Sequence, residues 1–260
     1  MNKRKCLAIM MVIMVFFAFA AGSGESNSTR DSVTIDSDGN VVSGGNNSGD
    51  NNAAALKYEI TDTDFDYYKN SLGRYEYYGY VEIKNTGTCD IYMQDCVFDL
   101  EDNDGHLLQS DTLISHCPEV IAPGEKGYFY NSLGASSIDS SVSLDNGVRL
   151  VPQMKLAQAK GKPVSYPVSD VSVRKDDYGY VKVTGRVENT TEKDINYMYI
   201  HVLFYDKDGK VIAITGTSVT DIGAGMKGSF DMTAMFVNDN LKFEDIKETK
   251  VIAEDSYYQW

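Results

Sequence analysis

Two short stretches of the sequence place alternating acidic residues immediately before a glycine. They are EDNDG at residues 101–105 and YDKDG at residues 205–209. A calcium loop of the EF-hand type uses oxygen ligands at positions 1, 3, 5 and 12 around a glycine at position 6. The same residue types also form tight β-turns, because Asp and Asn tolerate left-handed backbone and glycine permits positive φ. The two stretches therefore indicate either a metal site or a hairpin corner.

Counting ligand positions back from each glycine favours the turn. Position 1 would be Leu100 in the first stretch and Phe204 in the second, and neither side chain offers an oxygen. Position 12 of the second stretch would be Thr215, where a bidentate Glu is required. We therefore expect two hairpin turns, and we predict no metal site and no bound cofactor.

Catalytic constellations are equally sparse. The chain has only three histidines, His106, His116 and His201. His116 precedes Cys117 directly, and adjacent residues of an extended strand point to opposite faces, so this pair cannot act as base and nucleophile. No nucleophile elbow, phosphate loop or zinc-protease motif is present. We predict a protein that is not an enzyme, although a carboxylate pair for hydrolysis stays open among the 38 acidic residues.

The cysteines offer one candidate disulfide. Cys6 lies in the N-terminal apolar run, which leaves Cys89, Cys96 and Cys117 in the rest of the chain. If a hairpin turns at residues 102–104, Cys89 and Cys117 fall opposite each other and form the candidate bridge. A bridge from Cys96 to Cys117 is the alternative, and three cysteines leave at least one without an intrachain partner.

The first 21 residues have the form of an export signal. A basic head is followed by an apolar run and then by Ala18-Phe19-Ala20, a cleavage motif of small residues. The run is shorter than the roughly 20 residues that a spanning helix needs, although an uncleaved anchor remains an alternative. Ser23 stands where a bacterial lipoprotein would have its lipid-bearing cysteine, so a lipid anchor is not supported. We expect an extracellular or envelope protein that contacts a membrane only through an uncleaved or lipidated N-terminus.

Composition limits the partners and the folded region. Residues 22–54 are mostly Ser, Gly, Asn and Asp, which predicts a disordered linker. The formal net charge of the whole chain is −14, and removing the three basic residues of the signal makes it −17. Nucleic-acid binding needs a basic surface, and the chain that follows the signal has no basic cluster, so that class is set aside.

An internal repeat organises the remainder of the chain. Residues 82–108 align with residues 186–212 at an offset of 104, and the segments IAPGEKGYF and IGAGMKGSF align at an offset of 101. Further on, SIDSSVSL resembles DIKETKVI. We therefore predict a first unit at 55–147, a connector at 148–165 with one helical turn, and a second unit at 166–260.

The hydrophobic pattern within each unit has a period of two, which is typical of β-strands. In the second unit one face of the strand from Ile195 is expected to enter the core, and the other is expected to lie outside. The expected core residues are Met198, Ile200, Val202 and Phe204. Frequent turn residues and the lack of a long amphipathic helix indicate an all-β protein with two antiparallel β-sandwich domains.

The motifs FDLED at residues 98–102 and VLFYD at residues 202–206 resemble the signature of the FxLYD family. The first stretch has Glu101 where the family has Tyr, and the second keeps Tyr205 and Asp206. Gly185, Val187 and Asn189 before the second strand also resemble the family pattern. The resemblance implies tandem Ig-like domains of exported or membrane-tethered bacterial proteins, and it implies no enzymatic activity.

The abundance of tyrosine suggests where a partner would bind. The chain has 18 tyrosines, and Tyr197, Tyr199 and Tyr205 share the predicted outer face of one strand. Aromatic side chains on a solvent-exposed face can bind a protein or a glycan, although strand preference alone also enriches aromatics. We expect a non-catalytic interaction module of the cell surface with an unknown protein or glycan partner. The alternatives are a purely structural spacer and a secreted hydrolase or inhibitor with an acidic cleft between the units.

Overall fold

The computed structural model describes residues 56–70, 72–131, 135–161, 164–234 and 241–255, together with the backbone of three short earlier strands. Within these ranges the regular elements are β-strands and one 3-10 turn, which confirms the predicted all-β class. None of the described elements is a helix that is long and apolar enough to cross a membrane.

The three earlier strands are β1 (Ile13–Phe16), β2 (Thr34–Ile35) and β3 (Val41–Val42). β1 lies antiparallel to residues 57–60, and β2 pairs with β3. Apart from these strands, the predicted signal segment and linker lie outside the described residues. Export and cleavage therefore stay predictions.

The first half of the described chain, residues 56–161, contains nine strands. They are β4 (Lys57–Lys69), β5 (Tyr75–Asn85), β6 (Ile91–Glu101), β7 (Leu107–Asp111), β8 (Ile114–Cys117), β9 (Val120–Ile121), β10 (Lys126–Asn131), β11 (Ser136–Ser137) and β12 (Arg149–Gln158). One sheet has the order β1-β4-β5-β10-β8 with β11 beside β5, and the other has the order β12-β6-β7 with β9 beside β6. The inner faces of these sheets enclose a core that includes Tyr77, Val81, Phe98 and Phe129.

The second half, residues 164–255, contains six strands and the 3-10 turn at Phe243–Asp245. The strands are β13 (Val168–Lys175), β14 (Val181–Glu188), β15 (Ile195–Tyr205), β16 (Val211–Ile222), β17 (Lys227–Ala234) and β18 (Glu248–Asp255). They form one sheet in the order β13-β14-β17 and another in the order β16-β15-β18. All strand pairs in both halves are antiparallel.

The same buried asparagine supports the loop after β5 and the loop after β14. Asn85 Nδ2 donates to the carbonyl oxygens of Cys89 and Ile121, each at 2.8 Å. Asn189 Nδ2 donates in the same way to Lys193 at 2.8 Å and to Ile222 at 3.0 Å. The partners are related by the offsets of 104 and 101 that the sequence shows. The internal repeat is therefore a repeat of structure, built around one fully buried side chain that satisfies loop carbonyls.

The predicted connector at residues 148–165 needs correction, because most of it belongs to the first half. Residues 149–158 form β12, which pairs with β6 along its length. β12 corresponds to β18, which pairs with β15 in the same position. The alignment of SIDSSVSL with DIKETKVI is therefore also wrong, since SIDSSVSL precedes β12. Buried Val151 and Met154 show why a strand forms here: they complete the sandwich of the first half.

The two halves are stacked through their sheets. The inner face of β15 is fully buried in the second half, as predicted for Met198, Ile200, Val202 and Phe204. The outer face of β15 is also mostly covered, because Tyr78, Tyr80 and Tyr130 of the first half share a core cluster with it. The structure thus joins the two repeats by a buried layer between their central sheets.

Candidate functional site

The outer face of β15 carries the predicted partner surface and lies partly beneath the first half. Tyr197 and Tyr199 are 42% and 41% exposed, whereas His201 is 5% exposed and Leu203 is fully buried. Tyr205 is half-buried and hydrogen-bonded to Tyr128 of the first half. The structure therefore keeps Tyr197 and Tyr199 at the surface and places Tyr205 within the contact between the halves.

Two tyrosines of the first half bind the free edge of β16. The Tyr78 hydroxyl accepts a hydrogen bond from the Ile214 N–H at 2.7 Å and lies 3.3 Å from the carbonyl oxygen of the same residue. The Tyr80 hydroxyl lies 2.9 Å from the Val211 carbonyl oxygen and 2.7 Å from Asp62 Oδ2. An edge strand exposes unpaired backbone groups. The Tyr78 hydroxyl contacts both backbone groups of Ile214, and the single Tyr80 hydroxyl hydrogen is shared between the Val211 carbonyl and Asp62. Tyr78 and Tyr80 thereby fix the register of the two halves.

A third tyrosine begins a buried chain of polar groups. The Tyr130 hydroxyl lies 2.7 Å from His201 Nδ1, and His201 Nε2 lies 3.2 Å from Glu254 Oε1. Both Glu254 oxygens accept from the Glu119 backbone N–H at 3.1 Å. We call Tyr130, His201 and Glu254 the buried triad. The triad crosses between the halves at Tyr130, and the hydrogen bonds from Glu119 to Glu254 form a second crossing.

The buried triad has the order hydroxyl, imidazole and carboxylate that nucleophilic catalysis uses. The hydroxyl cannot reach a substrate, since Tyr130 is 1% exposed and Glu254 is 2% exposed. Burial also raises the pKa of Tyr130 well above its usual value, which opposes formation of a phenolate. The arrangement therefore links the two halves through buried hydrogen bonds.

His116 lies close to this network from the first half. Its ring meets the Phe129 ring edge-on with centroids 5.9 Å apart. Burial lowers the pKa of His116 to about 4, while the charge of Glu254 partly opposes the shift. His116, which is half-buried, is therefore held neutral near pH 7.

The exposed part of the outer face consists of an aromatic pair. The rings of Tyr197 and Tyr199 meet edge-on with centroids 4.7 Å apart, and Tyr199 stacks on His201 at 6.2 Å. Burial, and then the neighbouring Tyr197, raise the pKa of Tyr199. Thr220 and Ser218 lie opposite these tyrosines on β16. We call Tyr197 and Tyr199 the tyrosine pair: it is ordered by its ring contacts, and both hydroxyl-bearing rings remain accessible.

The acidic stretches form the predicted hairpin corners. Asp102 Oδ1 accepts from the N–H groups of Asp104 and His106 at 2.9 and 2.8 Å, and Asp206 Oδ1 accepts from those of Asp208 and Lys210 at 2.8 and 2.9 Å. The glycine of each stretch has a positive φ, 86° and 74° respectively. The first Asp of each turn is therefore an acceptor for backbone donors.

The first corner also brings three possible metal ligands together. One ligand atom each of Asp102, Asp104 and His106 lies within 4.8 Å of the others. The hydrogen bond from His106 is the main reason that the pKa of Asp102 falls to about 2. Asn146 Nδ2 donates to Asp104 Oδ2 at 2.7 Å. Hydrogen bonds within the turn account for this cluster, and it supports no metal proposal.

The structure does not form the predicted bridge between Cys89 and Cys117. Cys89, Cys96 and Cys117 are buried free thiols. Cys117 belongs to the cluster between the halves, whereas Cys89 and Cys96 belong to the core of the first half. The predicted hairpin register fails because the pairing of β7 with β6 ends at Asp111 and β8 crosses to the other sheet to pair with β10.

A cleft opens at the opposite end of β15 from the tyrosine pair. Its volume is about 430 Å³, and it lies between β4 and the turn that joins β15 to β16. Its walls are formed by Asp64, Asp206, Lys207, Lys210, Val211, Ile212, Leu241, Lys242, Glu244, Asp245 and Lys247. Four lysines and four acids line this cleft, so their charges balance. The acidic cleft of a secreted hydrolase or inhibitor stays a prediction.

Sequence reasoning missed the groups that cover the outer face of β15. Tyr78 and Tyr80 lie in a tyrosine-rich stretch, and Tyr130 directly follows the repeated segment IAPGEKGYF. The sequence did carry a sign of this covering layer, because aromatic residues occupy both faces of β5. A strand that is apolar on both faces predicts burial on both sides, which requires a second layer.

The sequence matches no protein-family model and no curated protein. The function must therefore be argued from the residues and their geometry.

Proposed function

We propose that this chain is an exported, non-catalytic interaction module of the cell envelope, in which the tyrosine pair contacts a protein or glycan. The form of residues 1–21 and the resemblance to the FxLYD family support the envelope setting. The same resemblance supports an Ig-like assignment for each half.

The single observation that carries the proposal is the accessible tyrosine pair beside a covered surface. His201 and Leu203 on the same face of β15 are buried, yet Tyr197 and Tyr199 stay over 40% exposed in an edge-on contact. Ordered aromatic rings lose little entropy on binding and offer both apolar faces and hydroxyl groups. A partner that extends the existing contact along β15 would find this surface already formed.

The test compares binding of the purified chain with two variants on glycan and protein arrays. Tyr197→Ser combined with Tyr199→Ser removes the pair. Tyr178→Ser is the matched control, because Tyr178 is 87% exposed and lies on a turn elsewhere. We expect a bound partner whose signal falls at least about tenfold in the double variant and is unchanged in the control. Equal loss in both variants, or the absence of any bound partner, would instead favour a structural spacer.

A further inference from the structure

The cleft at the far end of β15 is separate from the tyrosine pair. Eight residues of extended strand separate Tyr197 from Tyr205, which corresponds to about 26 Å. The cleft includes residues from both halves, since Asp64 belongs to β4 and the remaining walls belong to the second half. Tyr80 fixes this junction through its contact with the Val211 carbonyl oxygen. The cleft is therefore built by the same packing that joins the two halves.

The size of the cleft is within the range of small-molecule sites, and its lining is mainly charged. A volume of about 430 Å³ is at the lower end of the range of about 300 to 1,000 Å³ for small-molecule sites. Val211, Ile212 and Leu241 provide apolar surface, and the charged residues surround it. An occupant should therefore combine an apolar body with charged groups.

Two lysines are suited to an added carboxylate. Lys210 Nζ comes only within 3.8 Å of Asp62 Oδ1, which is a long ion pair, and its side chain is 44% exposed. Lys242 lies on the same cleft and is exposed. Lys207 is engaged more closely, at 2.7 Å from Asp208, and Lys247 donates to the Glu244 carbonyl oxygen at 2.7 Å. Lys210 and Lys242 are thus the better partners for an incoming anion.

The acidic wall provides a matching site for a cation. Burial is the main cause that raises the pKa of Asp64, the nearby Asp62 and Asp66 raise it further, and Lys210 opposes them. A bound ammonium group would stabilise the charged form of Asp64. Glu244 is already paired with Lys175 at 3.2 Å, and Asp206 accepts two backbone donors. Of the two remaining acids of the cleft, Asp64 is half-buried and Asp245 is exposed, so Asp64 is the better partner for a positive group in the interior of the cleft.

We propose that this cleft binds a zwitterionic ligand, a short apolar peptide with a free amino group and a free carboxylate. Lys210 and Lys242 contact the carboxylate, Asp64 contacts the ammonium group, and the apolar side chains rest on Val211, Ile212 and Leu241. Four lysines against four acids give no net charge that would select a polyanion or a polycation. Specificity then arises from the positions of opposite charges on the two ends of the ligand.

The experiment uses leucyl-leucine and two blocked forms, measured by calorimetric titration against the purified chain. The N-acetyl form lacks the positive charge, and the C-terminal amide lacks the negative charge. We expect leucyl-leucine to bind at least about tenfold more tightly than either blocked form, because each loses a charge-assisted contact. Equal binding of the three ligands, or no binding of any at millimolar concentration, would overturn the proposal.

Variants assign each end of the ligand. Lys210→Gln, and separately Lys242→Gln, should weaken the binding of leucyl-leucine about fivefold or more and leave the binding of the C-terminal amide unchanged. Asp64→Asn should also weaken the binding of leucyl-leucine about fivefold or more, and it should leave the binding of the N-acetyl form unchanged. Lys227→Gln is the matched control, because it removes one positive charge on β17, where Lys227 pairs with Glu188. Circular dichroism confirms the fold of each variant. If Lys227→Gln weakened the binding of leucyl-leucine as much as the two cleft lysine variants do, a direct contact between the cleft lysines and the ligand carboxylate would be contradicted.

Discussion

The Tyr130 hydroxyl of the first half lies 2.7 Å from His201 Nδ1 of the second half, and both side chains are almost completely buried. His201 Nε2 faces Glu254, so both ring nitrogens have partners. Among the described residues, no buried side-chain nitrogen or oxygen lacks a hydrogen-bond partner. The buried polar side chains in the contact between the halves are therefore hydrogen-bonded, as they are in the interior of a domain.

Replacing Tyr130 with Phe tests this contact directly. The substitution leaves His201 Nδ1 buried without its partner, and such a loss costs about 1 to 3 kcal/mol. We expect the free energy of unfolding to fall by that amount in urea denaturation. Tyr178→Phe is the matched control, since Tyr178 is 87% exposed and should be neutral. Equal stability of the two variants would show that the triad does not stabilise the fold.

Gly216 lets the first half approach β16 closely. A Cβ atom at this position would lie 2.9 Å from the Tyr130 hydroxyl oxygen and 3.1 Å from the Ile200 carbonyl oxygen. We expect Gly216→Ala to destabilise the protein by about 1 to 3 kcal/mol through overpacking. In Tyr130→Phe the hydroxyl is absent, so the added methyl group should cost less. A double-mutant cycle measures this coupling, and strictly additive losses would contradict the close contact.

Local periodicity predicted the strands and the inner face of β15, because the side chains of a strand alternate between its two faces. Met198, Ile200, Val202 and Phe204 are all fully buried as expected. The same rule placed His201 and Leu203 on the outside, where the structure buries them under the first half. Alternation assigns residues to a face, but it does not show what covers that face.

The sequence repeat predicted equivalent hairpins in the two halves. This prediction was wrong where the strands that follow the hairpin turn differ between the halves. β16 is one continuous strand of twelve residues that pairs with β15, whereas the corresponding part of the first half divides into β7, β8 and β9. The strand register that was counted from one turn, and that placed Cys89 opposite Cys117, does not include the crossing of β8 to the other sheet. The cleft was also beyond sequence reasoning, since Asp64 and Lys210 are 146 positions apart and meet only through the stacked sheets.

The buried layer predicts that the two halves unfold together. The halves share one core cluster that contains Tyr78, Tyr80 and Tyr130 beside Leu203 and Ile214. We expect a single cooperative transition in calorimetry for wild type, with equal calorimetric and van't Hoff enthalpies. Combining Tyr78→Phe with Tyr80→Phe removes the hydroxyls that bind the β16 edge and should lower the midpoint. Two separate transitions in wild type would show that the layer does not couple the halves.

His116 predicts a loss of stability in mild acid. Its pKa is about 4 in the folded protein, below the ordinary histidine value of 6.5, mainly because burial disfavours the charged form. Between these values the unfolded chain binds more protons than the folded one, so stability falls as the pH decreases from about 6.5 towards 4. The whole shift corresponds to at most about 3 kcal/mol.

The comparison that isolates this effect is His116→Leu. The variant should lose less stability than wild type between pH 7 and pH 5, because it has no imidazole to protonate in the unfolded state. Urea midpoints at the two pH values measure the difference, and contributions of the other titrating groups cancel to first order. Identical pH dependence of both proteins would mean that His116 is accessible to water in the folded state.

Variants of the turn at residues 206–209 test whether its acidic residues cap the backbone or bind calcium. Asp206→Ala removes the acceptor of two backbone N–H groups and should cost about 1 kcal/mol, whereas Asp206→Asn keeps an acceptor oxygen and should cost less. Asp208→Ala should be nearly neutral, because its exposed carboxylate makes only a surface contact with Lys207. Melting temperatures with and without millimolar calcium complete the test. A calcium-dependent rise in wild type that both alanine variants abolish would show that this corner binds the ion; equal melting temperatures would leave backbone capping as the reason that an acid stands at residue 206.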